Sequence, residues 1–295
     1  MEALLYEHAG DNKVLCNLCH HRCTIKDGAR GICNVRENQE GALVTLVYDR
    51  IIARHVDPIE KKPLFHFYPG SLVYSIGTVG CNFRCKFCQN ADIAHMATDY
   101  QGRIMGKALT PQQIVEEAEL TGSRSIAYTY TEPTVFFELA LEVARQAREK
   151  NIASVFVTNG YMTPGAVDMI SPYLDAANVD LKAFTEAFYK KYCSARLQHV
   201  LTTLKKLREN GVFLEITTLL IPGLNDADAE LKDLAGFIAD ELGTQTPWHI
   251  SRFHPTYRLT DRPSTPVETL RKARRIGMDA GLKYVYTGNV PGEAF

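Results

Sequence analysis

The chain has 295 residues, of which 45% are hydrophobic and 23% charged, and its formal net charge is −1. These values are ordinary for a water-soluble globular protein and allow one large domain with an appendage, or two domains. The chain has no basic stripe of the kind that predicts a nucleic-acid partner. It also has no run that approaches the ~20 apolar residues needed to span a bilayer. Residues 1–16 contain acidic residues and no apolar run, so we expect no signal peptide. The 8 cysteines lie mostly in close clusters, which favours metal binding in a reducing compartment, and we expect a cytoplasmic protein.

Residues 1–70 are predicted to form a cysteine-rich, metal-binding module with short strands. Its cysteines Cys16, Cys19, Cys23 and Cys33 follow the spacing C-x2-C-x3-C-x9-C. Four thiols this close together predict a metal site in a reducing compartment. The spacing fits both a closed tetrahedral zinc site and a second iron–sulfur cluster, and it does not decide between them.

From residue 71 to residue 295, short β-rich runs alternate with longer amphipathic segments. The predicted strands span 72–77, 125–130, 153–158, 177–181, 213–220, 249–253 and 284–286. The predicted helices span 111–120, 134–150, 164–173, 200–210, 227–242 and 266–280. This alternation indicates βαβ units and a parallel sheet. We therefore predict an α/β fold with a partial or near-complete parallel (β/α) barrel, whose site would lie at the carboxyl ends of the strands.

The first predicted strand leads into the most informative motif of the chain. Here Cys81, Cys85 and Cys88 have the spacing C-x3-C-x2-C. Three thiolates can hold three irons of a four-iron cluster, which leaves the fourth iron open to a small molecule. The alternative is a zinc knuckle, but zinc usually takes four ligands, and the nearest imidazole, His95, is seven residues further on. The motif therefore favours an iron–sulfur cluster over zinc.

Polar residues follow the other predicted strands, where a parallel barrel would place its site. They offer donors and acceptors suited to a zwitterionic nucleoside, and the candidates are Glu132, Thr158, Asn159, Asp180, Lys182 and His254. Asp180 and Lys182 share one face of their strand because side chains alternate with a period of two. Four of these candidates could instead have a purely structural role. Glu132 would cap the following helix, Lys182 would be a surface lysine, His254 would pack beside Pro255, and Asn159 would belong to a turn.

These motifs resemble those of the radical SAM superfamily. Within it they are similar to the activating enzymes of glycyl-radical enzymes, such as pyruvate formate-lyase activating enzymes. They are most similar to the radical SAM member of the AmmeMemoRadiSam system, and the resemblance covers nearly the whole chain. It is carried by Cys16-x2-Cys19-His20-x2-Cys23, by the stretches 80–90, 129–133, 156–160 and 180–182, and by Thr287-Gly288-Asn289-Val290-Pro291-Gly292.

The resemblance implies a [4Fe-4S] cluster on Cys81, Cys85 and Cys88, with S-adenosylmethionine as the second cofactor. It also implies that Glu132 meets the methionine ammonium, Lys182 the methionine carboxylate and His254 the ribose. Further contacts are implied for Asn90, Thr158, Asn159 and Asp180.

The chain departs from the activase pattern at two places. Residues 131–133 read Thr-Glu-Pro where activases usually carry Gly-Gly-Glu-Pro, and residues 157–160 read Val-Thr-Asn-Gly where activases often have Asp-Thr-Asn-Gly. Two contacts of the activases are therefore made by residues that this chain lacks. One is a backbone contact of the glycine pair, and the other is a ribose or cation contact of the aspartate.

The resemblance also implies an activity and partners. The activity is reductive cleavage of S-adenosylmethionine to a 5′-deoxyadenosyl radical, which abstracts hydrogen from an unidentified substrate. An external donor of the flavodoxin or ferredoxin type would supply the electron, and AMMECR-like and Memo-like proteins are the partners that the family association implies.

Three other functions remain as alternatives. One is an activase that places a glycyl radical on a partner enzyme. Another is a non-enzymatic iron–sulfur electron carrier, which would leave the polar strand ends unexplained. A zinc hydrolase ranks last, because the chain has no H-E-x-x-H motif beside its cysteines.

Overall fold

The computed structural model describes residues 1–290. Its strands are β1 (Tyr6–His8), β2 (Val14–Cys16), β3 (Thr24–Ile25), β4 (Arg36–Gln39), β5 (Ala42–Thr45), β6 (Arg50–Ile51), β7 (Ala53–Pro58), β8 (Leu72–Gly77), β9 (Lys107–Ala108), β10 (Ser125–Tyr128), β11 (Ala153–Thr158), β12 (Ala176–Asp180), β13 (Phe213–Leu220), β14 (Trp248–Arg252) and β15 (Val285–Gly288). Its α-helices are α1 (Ala91–Ala94), α2 (Met96–Asp99), α3 (Pro111–Leu120), α4 (Phe137–Glu149), α5 (Pro164–Ile170), α6 (Glu186–Phe188), α7 (Leu197–Glu209), α8 (Asp228–Phe237) and α9 (Val267–Asp279). Short 3-10 turns lie at Ile59–Lys61, Pro133–Phe136 and Ser171–Tyr173, and π-helical turns at Tyr189–Cys193 and Ile238–Leu242.

The largest sheet has eight strands in the order β15-β14-β13-β12-β11-β10-β8-β7. Strands β8 and β10 to β15 run parallel, and β7 is antiparallel to β8. Within residues 1–290, β7 and β15 form the two edges, so the barrel is partial. The predicted α/β fold is thereby confirmed, and the strands predicted at 72–77, 153–158 and 213–220 are observed with those bounds.

Helix α3 illustrates how local sequence fixes these elements. The Thr110 hydroxyl accepts a hydrogen bond from the Gln113 backbone N–H, and the Gln113 side chain accepts one from the Thr110 N–H. Pro111 stands at the first helical position, where its missing N–H costs nothing. The helix buries Ile114 and Ala118 on the face that packs against the sheet. This cap explains why the helix predicted at 111–120 is observed with those bounds.

Strand β7 connects the N-terminal part of the chain to the barrel sheet. Its register runs from Ala53 opposite Gly77 to Pro58 opposite Leu72. The sheet therefore includes residues that precede the boundary predicted at residue 70, and the division into 1–70 and 71–295 remains a prediction. The sequence pattern did not reveal β7, because a strand that carries Arg, His, Asp and a terminal Pro is typical of a sheet edge only.

The chain between β7 and β8 crosses the inside of the barrel, and we call residues 59–67 the floor segment. Its apolar side chains join those of four strands in one buried cluster, made of Ile59, Leu64, Val73, Ala127, Val155 and Ala176. Polar contacts then fix it to the opposite strands. The Asn178 Nδ2 donates to the Pro63 carbonyl at 2.7 Å, and the His66 backbone N–H donates to Glu215 Oε1 at 2.8 Å. The floor segment thus closes the barrel beneath the carboxyl ends of the strands.

The N-terminal module packs beside the segments that follow β8 and β11. Cys19 pairs with Met162 in an antiparallel bridge, and the Thr163 hydroxyl donates to the Asn17 carbonyl at 2.7 Å. Gly80 has a φ of +104°, and a Cβ built there would lie 2.6 Å from Val35 Cγ1. A side chain at position 80 would therefore push the module away from the barrel.

The last sequence motif extends past the described residues: Pro291 and Gly292 lie outside them, whereas Val285–Gly288 form β15. Within residues 1–290, the helices all fall short of the length and apolar character needed to cross a membrane.

Candidate active site at the carboxyl ends of the strands

A cavity of about 380 Å³ lies at the carboxyl ends of the parallel strands. Most of the residues that the sequence predicted as site residues line it. These are Cys81, Cys85, Cys88, Asn90, Glu132, Thr158, Asn159, Asp180 and Lys182. They come from four separate stretches of the chain, which parallel strand order brings to one edge of the sheet.

The three central cysteines lie on one wall of this cavity. Burial and the nearby Glu132 carboxylate raise the pKa of Cys81 well above its ordinary value. A hydrogen bond with Cys193 and burial do the same for the pKa of Cys85, and burial with the Cys85 charge raises the pKa of Cys88 to about 11. Burial and mutual repulsion make the thiolate forms of these cysteines unfavourable. A positively charged iron–sulfur core would stabilise the thiolates, so the three side chains form a suitable set of ligands. The residues present therefore fit such a cluster.

We call residues 81–90 the cysteine loop, and backbone hydrogen bonds hold it in place. The Arg84 and Lys86 backbone N–H groups donate to the carbonyls of Cys193 and Tyr192, at 2.9 and 3.0 Å. The Phe83 N–H lies 3.3 Å from Cys81 Sγ.

In residues 1–290, His, Cys, Asp and Glu side chains do not form a group of three or more that could hold a single metal ion.

Glu132 is buried, with 2% of its surface exposed, and both oxygens are engaged. Oε1 accepts from the Thr134 N–H at 3.0 Å, the Thr134 hydroxyl at 2.5 Å and the Thr158 hydroxyl at 2.7 Å. Oε2 accepts one bond, from the Asn159 N–H at 2.8 Å. The capping alternative for Glu132 is therefore observed, because it caps the turn Pro133–Phe136. Oε2 nevertheless keeps the capacity for a further donor.

Burial raises the pKa of Glu132, although its four hydrogen bonds act in the opposite direction. A neighbouring cation would favour the ionised carboxylate. Thr158 and Asn159 hold this carboxylate in place, and the Asn159 Nδ2 also donates to Asn82 Oδ1 at 2.7 Å. The end of β11 thus links Glu132 to the cysteine loop.

Asp180 and Lys182 form an ion pair on another wall, with Lys182 Nζ 2.9 Å from Asp180 Oδ2. The Lys182 side chain is 15% exposed, so the surface alternative does not describe it. Burial alone would lower the pKa of Lys182, but the charges of Asp180 and Cys85 raise it well above its ordinary value. An ammonium that stays charged and has unused N–H donors can bind an anionic group.

Tyr130 connects the cysteine loop to the floor segment. Its carbonyl accepts from Asn90 Nδ2 at 2.7 Å, and its hydroxyl donates to Asp57 Oδ2 at 3.3 Å. The Lys62 Nζ lies 4.9 Å from the centre of its ring. Tyr130 has a φ of +66°, a left-handed conformation that costs a non-glycine residue energy and that collects at functional sites.

His254 is placed differently from the other candidates. It is exposed, its Nδ1 lies 3.1 Å from the Ser264 hydroxyl, and it is not one of the cavity-lining residues. The contact with ribose implied by the resemblance remains a prediction. Conversely, sequence reasoning missed Lys61 and Lys62, which line the cavity. Two lysines in a connecting stretch between prolines carry no sequence signal that separates a cavity position from an exposed one.

The four N-terminal cysteines line a separate, small cavity of about 20 Å³. Burial raises the pKa of Cys19, and the charges of the other three thiols raise it further. The Arg36 Nη1 donates to Cys16 Sγ at 3.4 Å, and the same guanidinium is paired with Glu138. Both members of this pair are almost fully buried, at 1% and 2% exposed. A buried cation at a four-thiol site would stabilise thiolates.

Comparison with known proteins identifies the family. The Radical SAM superfamily pattern matches residues 75–235. An uncharacterised protein of Methanocaldococcus jannaschii is 46% identical over 99% of this chain and 86% of that protein. The pyruvate formate-lyase-activating enzyme of Clostridium pasteurianum is 22% identical over 69% of this chain and 87% of that enzyme.

Among solved structures, a radical SAM methyltransferase from Sphaerobacter thermophilus has a TM-score of 0.57 and 17% identity, covering 76% of this chain and 68% of that chain. At this identity the likeness shows a shared fold. The family match spans more than half of the chain and the archaeal relative nearly all of it. The chain therefore belongs to the Radical SAM superfamily, as an enzyme that resembles the pyruvate formate-lyase activating enzymes.

Proposed function

We propose that this enzyme cleaves S-adenosylmethionine reductively at a [4Fe-4S] cluster held by Cys81, Cys85 and Cys88. Membership of the superfamily implies this cluster and this cofactor. When bound, they supply a 5′-deoxyadenosyl radical that takes a hydrogen atom from the substrate. One observation carries the assignment of residues: the three thiols share a single cavity with the Glu132 carboxylate and the Lys182 ammonium.

The charges in the cavity match the two ends of an amino acid. Glu132 Oε2 has room for an ammonium donor, and Lys182 has N–H donors for a carboxylate. Thr158 and Asn159 hold Glu132, while Asp180 holds Lys182. In this proposal the first two act by positioning the carboxylate. Side chains that are already held in place lose little conformational entropy when they bind and orient a cofactor.

Asn90 acts through the backbone in this proposal. Its side chain fixes the Tyr130 carbonyl, which borders Thr131 and Glu132. Thr131 donates its hydroxyl to the Thr78 carbonyl at 2.8 Å, ahead of the cysteine loop. These two contacts give the cofactor-facing loops a fixed separation although the glycine pair of the activases is missing.

We also propose a metal at Cys16, Cys19, Cys23 and Cys33. The four thiols that line one cavity and the buried Arg36 support it, and both zinc and a second iron–sulfur cluster remain candidates. A link to the other cysteines exists: the His21 ring nitrogen Nε2 is 2.8 Å from the Asn82 carbonyl, next to Cys81. Metal analysis of the full chain would separate the two, since zinc adds no visible absorption and a cluster adds iron.

The partners and substrate are part of the same proposal. An external flavodoxin- or ferredoxin-type protein supplies the electron in the cytoplasm, and AMMECR-like and Memo-like proteins belong to the same system. The second candidate function is activation of a glycyl-radical enzyme, which the similarity to an activating enzyme favours. The hydrogen donor distinguishes them, because an activase takes hydrogen from a protein backbone glycine.

The test is anaerobic reconstitution with iron and sulfide, followed by S-adenosylmethionine and dithionite. We expect the wild type to form 5′-deoxyadenosine, and the Cys81→Ala/Cys85→Ala/Cys88→Ala variant to form none and to lose about four irons. Ser123→Ala, at a buried position that does not line the cavity, is the control and should keep both. Formation of 5′-deoxyadenosine by the triple variant would refute the assignment. Failure of the wild type to bind S-adenosylmethionine would favour an electron carrier.

A further inference from the structure

The floor segment brings two cations into the cavity that the proposed cofactor contacts leave unused. Lys61 and Lys62 line the same cavity as the three cysteines. The Lys62 side chain is only 5% exposed, whereas that of Lys61 is 66% exposed. The bond from Asn178 to the Pro63 carbonyl fixes the backbone directly after Lys62. The position of Lys62 is therefore set by the fold and not by a mobile loop.

The charges at this end of the cavity do not cancel. Asp57 is paired with both lysines, its Oδ1 2.9 Å from Lys61 Nζ and its Oδ2 2.9 Å from Lys62 Nζ. The Tyr130 hydroxyl donates to the same carboxylate at 3.3 Å. Two ammonium groups and one carboxylate leave one positive charge. The two lysines, and not Asp57, are among the residues that line the cavity.

Lys62 and the wall of the same cavity also carry donors that the described contacts leave unused. An ammonium has three N–H donors, and the described hydrogen bonds of Lys62 use one, on Asp57, while the Tyr130 ring centre lies 4.9 Å away. The Thr217 hydroxyl lines the same cavity, is buried, and has no hydrogen-bond partner among residues 1–290. Buried donors without acceptors are costly, and an oxyanion with several lone pairs would satisfy them.

We propose that Lys62, assisted by Lys61, binds an oxyanion of the substrate, either a carboxylate or a phosphate, at the floor of this cavity. The inference rests on the proposed function, since it takes the cavity to be the one in which the substrate reacts. It assigns the substrate to the class of anionic metabolites or anionic side chains. The anionic group would anchor the molecule while a carbon nearer the cysteines gives up its hydrogen.

The test is calorimetric titration of the full-length, anaerobically reconstituted protein with inorganic phosphate and, separately, with acetate, at low ionic strength. We expect the wild type to bind at least one of the two probes, and the tighter one identifies the kind of oxyanion. Lys62→Met should weaken this binding by about tenfold or more, and Lys61→Met by roughly twofold to fivefold, because the exposed charge is screened. Lys150→Met, at an exposed lysine paired with Glu119, is the matched control and should bind as the wild type does.

Three outcomes would overturn the proposal: neither probe binds the wild type, Lys62→Met binds both as the wild type does, or Lys150→Met weakens binding as much as Lys62→Met. If circular dichroism shows that Lys62→Met is unfolded, Lys61→Met decides, and wild-type affinity in it would refute the proposal. The titration contains neither S-adenosylmethionine nor a reductant. Its failure therefore leaves the 5′-deoxyadenosine test untouched, and failure of that test leaves the titration interpretable.

Discussion

The four N-terminal cysteines and the three cysteines of the 81–88 loop lie in different surroundings. The first group encloses a cavity of about 20 Å³, whose other walls are mainly apolar and include Leu18, Ile25 and Val135. The second group opens onto about 380 Å³ lined by carboxylates, lysines and hydroxyls. A closed site can only stabilise what it holds, whereas an open one can present a metal to a small molecule. The comparison teaches that surroundings, more than cysteine spacing, separate a structural role from a reactive one.

The largest effect on stability should come from replacing the cysteines of the closed site. Replacing Cys16, Cys19, Cys23 and Cys33 by alanine would remove the proposed metal site, and the binding energy of a structural metal is on the order of 10 kcal/mol. We expect the N-terminal module to unfold and to become the first part cut in limited proteolysis. Cys193→Ala should leave the cleavage pattern unchanged. A quadruple variant as resistant as the wild type would mean that this site does not stabilise the module.

The next effect concerns the buried charge beside the closed site. Glu138→Gln leaves the Arg36 guanidinium without its ionised partner in a region where both side chains are at most 2% exposed. Breaking a buried pair in this way costs about 3–5 kcal/mol, which urea denaturation would measure. Glu149→Gln, at an exposed position of the same helix, is the control. A loss below about 1 kcal/mol in Glu138→Gln would show that the pair is not needed.

The contact between the two regions can be tested at Gly80. Gly80→Ala introduces a Cβ 2.6 Å from Val35 Cγ1 at a φ of +104°, so we expect a loss on the order of 2 kcal/mol in unfolding free energy. Val35→Ala removes the clashing atom and should rescue the double variant in part, because the backbone strain remains. Additive losses in the double-mutant cycle would show that the module does not press on the cysteine loop at this point.

An effect of similar size, confined to part of the pH range, is expected from the charges at the open site. Burial opposes ionisation of Asp57, but its two lysines lower its pKa to about 2, from an ordinary 3.8. At Lys62 burial outweighs the ion pair, and its pKa is lowered. A carboxyl whose folded pKa is depressed contributes stability above its unfolded pKa and loses it as the pH falls through the folded one. Wild type should therefore exceed Asp57→Asn by about 2 kcal/mol above pH 4, and the difference should vanish near pH 2.

Urea midpoints measured from pH 2 to pH 7 would show this convergence. Asp168→Asn offers a comparison, because its carboxyl is exposed and its ion pair with Lys206 is accessible to solvent. A constant difference between wild type and Asp57→Asn across the whole range would contradict the proposed charge arrangement at the floor of the cavity.

Much of the fold could be predicted because its signals are local. Three strands and helix α3 were predicted with their observed bounds, since β-rich runs and a capping box act over a few residues. Strand β7 was missed, because its pairing with β8 depends on an edge that exists only after the sheet forms. The floor segment was missed for the same reason, as its burial requires strands more than 100 residues away.

The sequence by itself determined the two cysteine groups and the alternation of strands and helices, because spacing and periodicity are properties of neighbouring residues. Tertiary structure alone decided that Lys62 faces the cavity, that Thr158 and Asn159 serve Glu132, and that His254 lies outside the cavity wall. Those placements depend on which strands adjoin in the partial barrel. Contacts between residues far apart in the chain are fixed only when the sheet closes around the floor segment.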